Sequence, residues 1–370
     1  MSIFQFEIQI TVAVTAVACA LLGTFLVLRR TAMMSDAISH TVLLGIVIGF
    51  FIFKDLTSPF LIVGAAMVGV LTVSLAALLE RTRLVKEDAS IGLAYPVLFS
   101  IAVILISRYA GDVHLDTDAV LVGEPAFIPF ERFYLFGYDI GPRGFYLMGG
   151  ILLIDLGFIL FLYKELKLST FDAGLAAALG FAPLLMHYAL MSLVSVTVVG
   201  AFDIVGSILV VALMVAPPAA AYLLTDHLPR MLGLSALLGA GCAISGYWLA
   251  HFLDASIAGS IAAMTGIVFV LVFLLAPERG LLALARRRAR QRWEFAQTML
   301  VMHLLNHEGL PEAPQESRIA HLREHMRWDD TFAAGVLRRC LAQGLISQDR
   351  DSLALTESGR QRAQQAFLDE

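Results

Sequence analysis

Residues 8–30 read IQITVAVTAVACALLGTFLVLRR, twenty-one positions without a charge closed by Arg29 and Arg30. An α-helix needs about 17 to 25 mainly apolar residues to cross the hydrocarbon core of a bilayer. The run is continuous and does not alternate over about ten residues, so it predicts a helix rather than a strand of a barrel. No Lys or Arg precedes it, so the basic start of a secretory signal is missing. The arginines that follow it place the end of this helix in the cytoplasm and its beginning outside.

Working outward, apolar windows of similar length recur at 34–53, 59–79, 91–107, 144–163, 182–202, 204–225, 231–251 and 257–276. With the first they make nine spans, or eight if one is re-entrant. The whole chain of 370 residues is 58% hydrophobic and only 15% charged, with a mean hydropathy of +0.79. Soluble domains carry roughly 25% charge. Counting spans from the first, the loops with Arg81, Arg83 and Lys86, with Lys164 and Lys167, and with Arg230 all fall inside, as do Arg279 and Arg286–Arg292. The three cysteines, Cys19, Cys242 and Cys340, are too scattered for a disulfide framework or a metal knuckle.

Composition changes abruptly near residue 277. Residues 1–280 read as a membrane domain, 281–292 as a basic linker lying on anionic headgroups, and 293–370 as a polar domain. Helical periods at 293–307, 317–327 and 329–343, a strand pair near 346–355 and a last helix predict a winged helix-turn-helix. Residues 293–370 hold eight Arg against twelve Asp and Glu, a net charge of −4. A DNA reader needs a basic face, and this one places Asp329 and Asp330 at the start of its would-be recognition helix. Nucleic acid is therefore a disfavoured partner.

Against so apolar a background the polar positions stand out. In MMSDAISHTVLLG (33–45), Asp36 and His40 lie one helical turn apart, on a face that also takes Met33, Ala37 and Leu44. Ionisable groups inside a membrane normally face a bundle interior or a water-filled path. Carboxylate oxygen with imidazole nitrogen suits zinc, manganese and iron. A plain interhelical hydrogen bond is the other reading, and spacing alone leaves both open. The long outer loop 108–143 carries His114, Asp116, Asp118 and Glu124, which read either as a solvated loop or as a point of metal hand-over. Asp155, His187 and Asp203 read first as satisfied interhelical contacts, and Pro217-Pro218 predicts a kinked or discontinuous helix. In the tail, His303/His307 and His321/His325 are two further one-turn pairs, either of which could hold a metal, although surface histidines are commoner. No GxxxxGK[ST] loop occurs, so this chain cannot hydrolyse ATP by that route, and any ATP-driven work must come from another subunit.

Five stretches in order, GTFLVLRRTAMMSDAISHTVLLGIVIG (23–49), ERTRLVKEDASIGL (80–93), LDTDAVLVGE (115–124), YKELKLSTFDAGLAAALG (163–180) and GAFDIVGSILVVALMVAPPAAAYLLT (200–225), resemble the permease subunits of manganese, zinc and iron ABC importers. The resemblance implies an all-α polytopic membrane protein of eight or nine transmembrane helices, a type II ABC importer permease in a bacterial plasma or inner membrane. It implies as partners two ABC ATPase subunits, an external metal-binding lipoprotein or periplasmic protein, and a second permease, identical or not. No permanent cofactor is implied, only the transported divalent metal. By the resemblance Asp36 and His40 line the metal path, and Thr170, Phe171, Asp172 and Gly174 belong to the helix that couples to the ATPase. Where many members have Pro before the Gly that follows the His, this chain has Leu44-Gly45, which implies a softer helix break. The tail is similar to the winged helix of metal-dependent repressors in LRRCLAQGLI and LALTESGRQRA, without an evident full set of their ligands.

Two other functions fit the composition. One is a proton-coupled secondary metal carrier using Asp36, Asp155 and Asp203 as a relay. The other is a membrane-anchored metal sensor acting through the tail, for which nine spans are far more than an anchor needs.

Overall fold

The computed structural model of the chain describes residues 2–54, 60–109, 124–135 and 138–368. Contacts divide it into two compact units, Met1–Gly280 and Leu281–Glu370.

The first unit is helical. Its long helices are α1 (Ile3–Leu28), α2 (Met33–Phe53), α3 (Phe60–Arg81), α4 (Glu87–Tyr109), α5 (Arg143–Phe161), α8 (Pro183–Val205), α9 (Ser207–Leu224), α10 (Leu228–Leu253) and α11 (Ile257–Leu275). Among the described residues these nine are long and apolar enough to cross a bilayer, and α1 is the most buried. It is the axis of the unit, packed on α5, α8, α9 and α10, while α2 lies against α3, α4, α8 and α9. Leu22, Phe25, Leu26, Ile38, Met148, Leu190, Met191, Leu209, Leu213 and Met214 fill the space between them and are fully buried. Outer helices keep apolar side chains such as Leu153, Phe161 and Leu275 exposed, as a lipid-facing surface requires.

With lipid tails as apolar as leucine, helices associate through close packing and polar contacts. Both hold α2 in place. A Cβ on Gly45 would collide with the backbone of Ala65 on α3, so only glycine allows that approach. One turn earlier, the buried Thr72 hydroxyl donates to Thr41 at 2.8 Å. On the other side of α3, Ser195 of α8 donates to the Ala66 carbonyl at 3.0 Å. Thr24 and Ser235 join α1 to α10 at 3.0 Å.

Three elements differ from the sequence reading. The loop before α5 contains a 3-10 turn, Pro125–Phe130, and a hairpin of β1 (Arg132–Leu135) and β2 (Tyr138–Pro142). Arg132 reaches across to Glu7 of α1 at 2.8 Å, a contact between residues 125 positions apart that no local pattern announces. Second, α9 runs as one helix through Pro217 and Pro218; the discontinuity falls earlier, at Gly206 between α8 and α9, where φ is 78°. Third, residues 281–292 are not a linker but the beginning of α12 (Leu281–His307), because a run rich in Arg, Ala and Leu has high helix propensity.

The second unit continues with α13 (Ala313–Glu316), α14 (Ile319–His325), α15 (Asp330–Ala342), β3 (Ile346–Asp349), β4 (Ser352–Leu355) and α16 (Glu357–Leu368). Leu300, Val301, Val336, Cys340, Ile346, Leu353 and Ala363 form its core. Asp329 caps α15, accepting from the Phe332 amide at 2.7 Å. Gly344, at φ 66°, turns the chain out of the helix, as a left-handed closing residue must, and leads into the antiparallel β3–β4 pair.

Candidate metal path and coupling segment

Asp36 lies in the first turn of α2, where the helix dipole favours a carboxylate. His40 follows one turn on, its Nε2 3.5 Å from Asp36 Oδ1, with both side chains about one-third exposed at 33% and 38%. The imidazole stacks on Tyr95 of α4, centroids 5.6 Å apart, and meets Phe99 edge-on at 5.9 Å. The aromatic pair holds the ring plane with Nε2 on the carboxylate side. Of the other residues expected on this face, Ala37 and Leu44 are buried and Met33 is exposed. The face is therefore split, its inner part packed and its Asp36 and His40 edge half open. One carboxylate and one imidazole are too few to enclose a cation, but enough to offer it an oxygen and a nitrogen.

The turn before α2 leads to the second site. Arg30 takes φ 63° to reverse the chain, and Arg29 points at α6 (Tyr163–Phe171). Its Nε donates to Thr170 Oγ1 at 3.1 Å and its Nη2 to Ser169 Oγ at 3.0 Å, while Nη1 lies 3.5 Å from His187 Nδ1 on α8. Burial lowers the Arg29 pKa to about 10, so it stays charged at neutral pH. Thr170 lies in the last turn of α6 and donates back to the Leu166 carbonyl at 2.6 Å. Asp172 is the cap, accepting from the Leu175 amide at 2.8 Å to start α7 (Ala173–Ala178). Phe171, Leu175 and Leu179 are exposed, as is Gly174, so this end of the unit carries an uncovered apolar ridge.

Asp155 is buried and accepts from Thr197 at 3.0 Å, the interhelical contact that the sequence suggests. Asp203 is exposed near the end of α8. His114, Asp116 and Asp118 lie outside the described residues. Glu124 precedes the 3-10 turn and makes no side-chain cap. Sequence reasoning missed the part played by Arg29 and Ser169, for the arginine already had an explanation as a topology signal.

The ABC 3 transport family matches residues 3–276, and the chain belongs to that family. It is 46% identical over 358 residues, 97% of each chain, to the zinc transport system membrane protein TroD of Treponema pallidum. It is 45% identical over 293 residues, 79% of this chain and 99% of the other, to the manganese transport system membrane protein MntD of Bacillus subtilis. The first match therefore takes in the C-terminal unit as well. Among solved structures, PsaBC from Streptococcus pneumoniae in complex with Fab aligns with a TM-score of 0.63 at 27% identity, covering 77% of this chain and 96% of that one.

Proposed function

We propose that this chain is the permease subunit of an ATP-driven importer of divalent transition metal ions, manganese, zinc or iron, and that Asp36 and His40 are its seat for the ion. The observation that carries the seat is the half-exposed carboxylate and imidazole 3.5 Å apart on an otherwise apolar helix. A second permease subunit, the same chain or a related one, brings a matching pair, and an external binding protein delivers the ion between them. Four ligands drawn from two subunits separate when the subunits rock apart, which releases the ion; four from one chain would hold it too long.

The ridge of Phe171, Leu175 and Leu179, with Thr170, Asp172 and Gly174, is the part that docks on the ATPase subunit. Arg29 joins this segment to the turn that begins α2. His40 lies about 10 Å along the axis from that turn, at 1.5 Å per residue. A displacement of α6 by the ATPase thus reaches the metal seat through this guanidinium as well as through the packing of α6 on α8. Ends that carry Arg29 and Ser169 face the cytoplasm, and so does the C-terminal unit.

That unit is read as a winged helix, from its order of helices, hairpin and final helix. Two of its arginines are engaged within the fold: Arg360 grips Glu308, with Nη2 at 2.7 Å, and Arg339 lies 4.1 Å over the Trp293 ring. Such engagement, together with Asp329 and Asp330, speaks for a regulatory or stabilising unit rather than a nucleic-acid reader.

Metal-resolved uptake tests the seat. Asp36→Ala and His40→Ala should each abolish accumulation of manganese, zinc and iron while the complex still co-purifies with its ATPase and hydrolyses ATP at the basal rate. Undiminished uptake in either variant removes the pair from the path.

A further inference from the structure

The two one-turn histidine pairs of the tail come from different helices and meet. His303 and His307 lie on the last turns of α12, His321 and His325 on α14, and the one-turn α13 brings Glu316 between them. Glu316 Oε2 is 3.2 Å from His303 Nε2 and 2.9 Å from His321 Nε2. Ring centroids of His303 and His307 are 4.7 Å apart, and those of His303 and His325 are 5.0 Å apart. Donor atoms of His303, His307 and Glu316 all lie within 4.8 Å of one another, and so do those of Glu316, His321 and His325. Surface histidines are not arranged this way, and His303 is only 8% exposed.

The hydrogen-bonding balance of the cluster is the decisive observation. His303 Nε2, His307 Nδ1, Glu316 Oε2 and His321 Nε2 are buried, and none of them makes an aligned hydrogen bond, although Glu316 Oε2 lies in ion-pair range of His303 and His321. Two imidazoles approach one carboxylate oxygen at short range, but neither aligns an N–H with it. Buried polar atoms are ordinarily satisfied, and a group of exceptions at one point signals a ligand. What would satisfy three or four nitrogen lone pairs and a carboxylate together is a cation.

We infer that the C-terminal unit contains its own binding site for a divalent transition metal ion, built from His303, His307, Glu316, His321 and His325, with Glu316 as the shared ligand. The site is separate from Asp36 and His40 and does not rest on their role. It is also different in kind. A seat in a transport path offers two groups from each chain, whereas here one chain supplies two sets of three that share Glu316, a closed site suited to retention. Zinc–nitrogen bonds are about 2.0–2.1 Å long, so donors already within 4.8 Å need close by only about an ångström. Imidazole-rich sets suit zinc and iron better than manganese, which prefers oxygen. A bound ion ties the end of α12 to α14 across α13, so it orders the first half of the unit.

The test uses the full chain in detergent carrying Asp36→Asn and His40→Gln, which removes the path pair, after stripping with a chelator. Titration with Zn(II) and Mn(II) should show at least one equivalent of zinc retained through dialysis and manganese held less tightly. Co(II) should give visible ligand-field bands from nitrogen and oxygen ligation. Loss of a supporting partner of a ligand already costs about 10–100-fold in affinity, so adding Glu316→Gln should weaken zinc binding by at least that and abolish the cobalt spectrum. Should Glu316→Gln disturb folding, His321→Asn with His325→Asn, at more open positions, decides the matter by the same readouts. Absence of retained zinc in the parent, or zinc and cobalt binding unchanged by these substitutions in a folded chain, overturns the site.

Discussion

Asp36 and His40 mark both the reach and the limit of reading single residues. Their spacing, the apolar run around them and their likeness to metal importers are all in the sequence, and the structure adds that the pair is half open and that Tyr95 and Phe99 hold the His40 ring. Asp155 is the contrasting case. Because Thr197 donates to it across α5 and α8, Asp155→Asn keeps an acceptor there and should leave metal uptake at the parental level. Loss of uptake in that variant would instead favour a proton relay. Gly45 carries a steric prediction: since a Cβ would meet the Ala65 backbone, Gly45→Ala must push α2 and α3 apart. Overpacking of this kind costs about 1–3 kcal/mol, to be read as a lower melting temperature of the detergent-solubilised protein.

At the scale of elements, α6 and α7 depend on partners far away in the chain. Arg29→Ala removes the donors to Ser169 and Thr170 and should loosen coupling without dissolving the bundle. Substitutions along coupled elements change coupling by about 0.5–2 kcal/mol, about 2- to 30-fold. Uptake should fall within that range while the ATPase of the purified complex continues to turn over; full uptake would show that α6 moves α2 by another route. In the second unit, the Asp329 carboxyl is held below its usual range by hydrogen bonds from the Thr331 hydroxyl and the Phe332 amide. Its contribution is therefore complete above the ordinary carboxyl pKa of about 3.9 and fades as pH falls through the lowered folded value. Asp329→Ala should lower the unit's thermal stability at neutral pH, and Asp329→Asn, which still caps, should preserve most of it. Equal stability of the alanine variant would deny the cap its role.

For the whole molecule, the two compact units divide at Gly280, and the family match ends at residue 276. A chain stopped after Gly280 should still insert and import metal, with any difference appearing in how uptake responds to metal already accumulated. No import by a stably inserted truncated chain would make the second unit part of the transport machinery. The Treponema relative aligns over 97% of the chain and so takes in this unit as well, whereas the family match does not extend into it.

The sequence by itself determined the membrane class, the nine apolar windows to within a few residues, the change of character near 277 and the pair on α2. These are legible because bilayer thickness sets span length and helical period sets neighbours, and both act along the chain. Only the tertiary structure decided that Arg29 holds α6, that Arg132 ties a hairpin to Glu7, that α9 passes unbroken through its two prolines, and that four histidines gather on Glu316. Each of these joins positions on different elements or depends on neighbours that satisfy what a local rule leaves open. Such contacts are fixed by which helices pack together, and that choice has no local period to read.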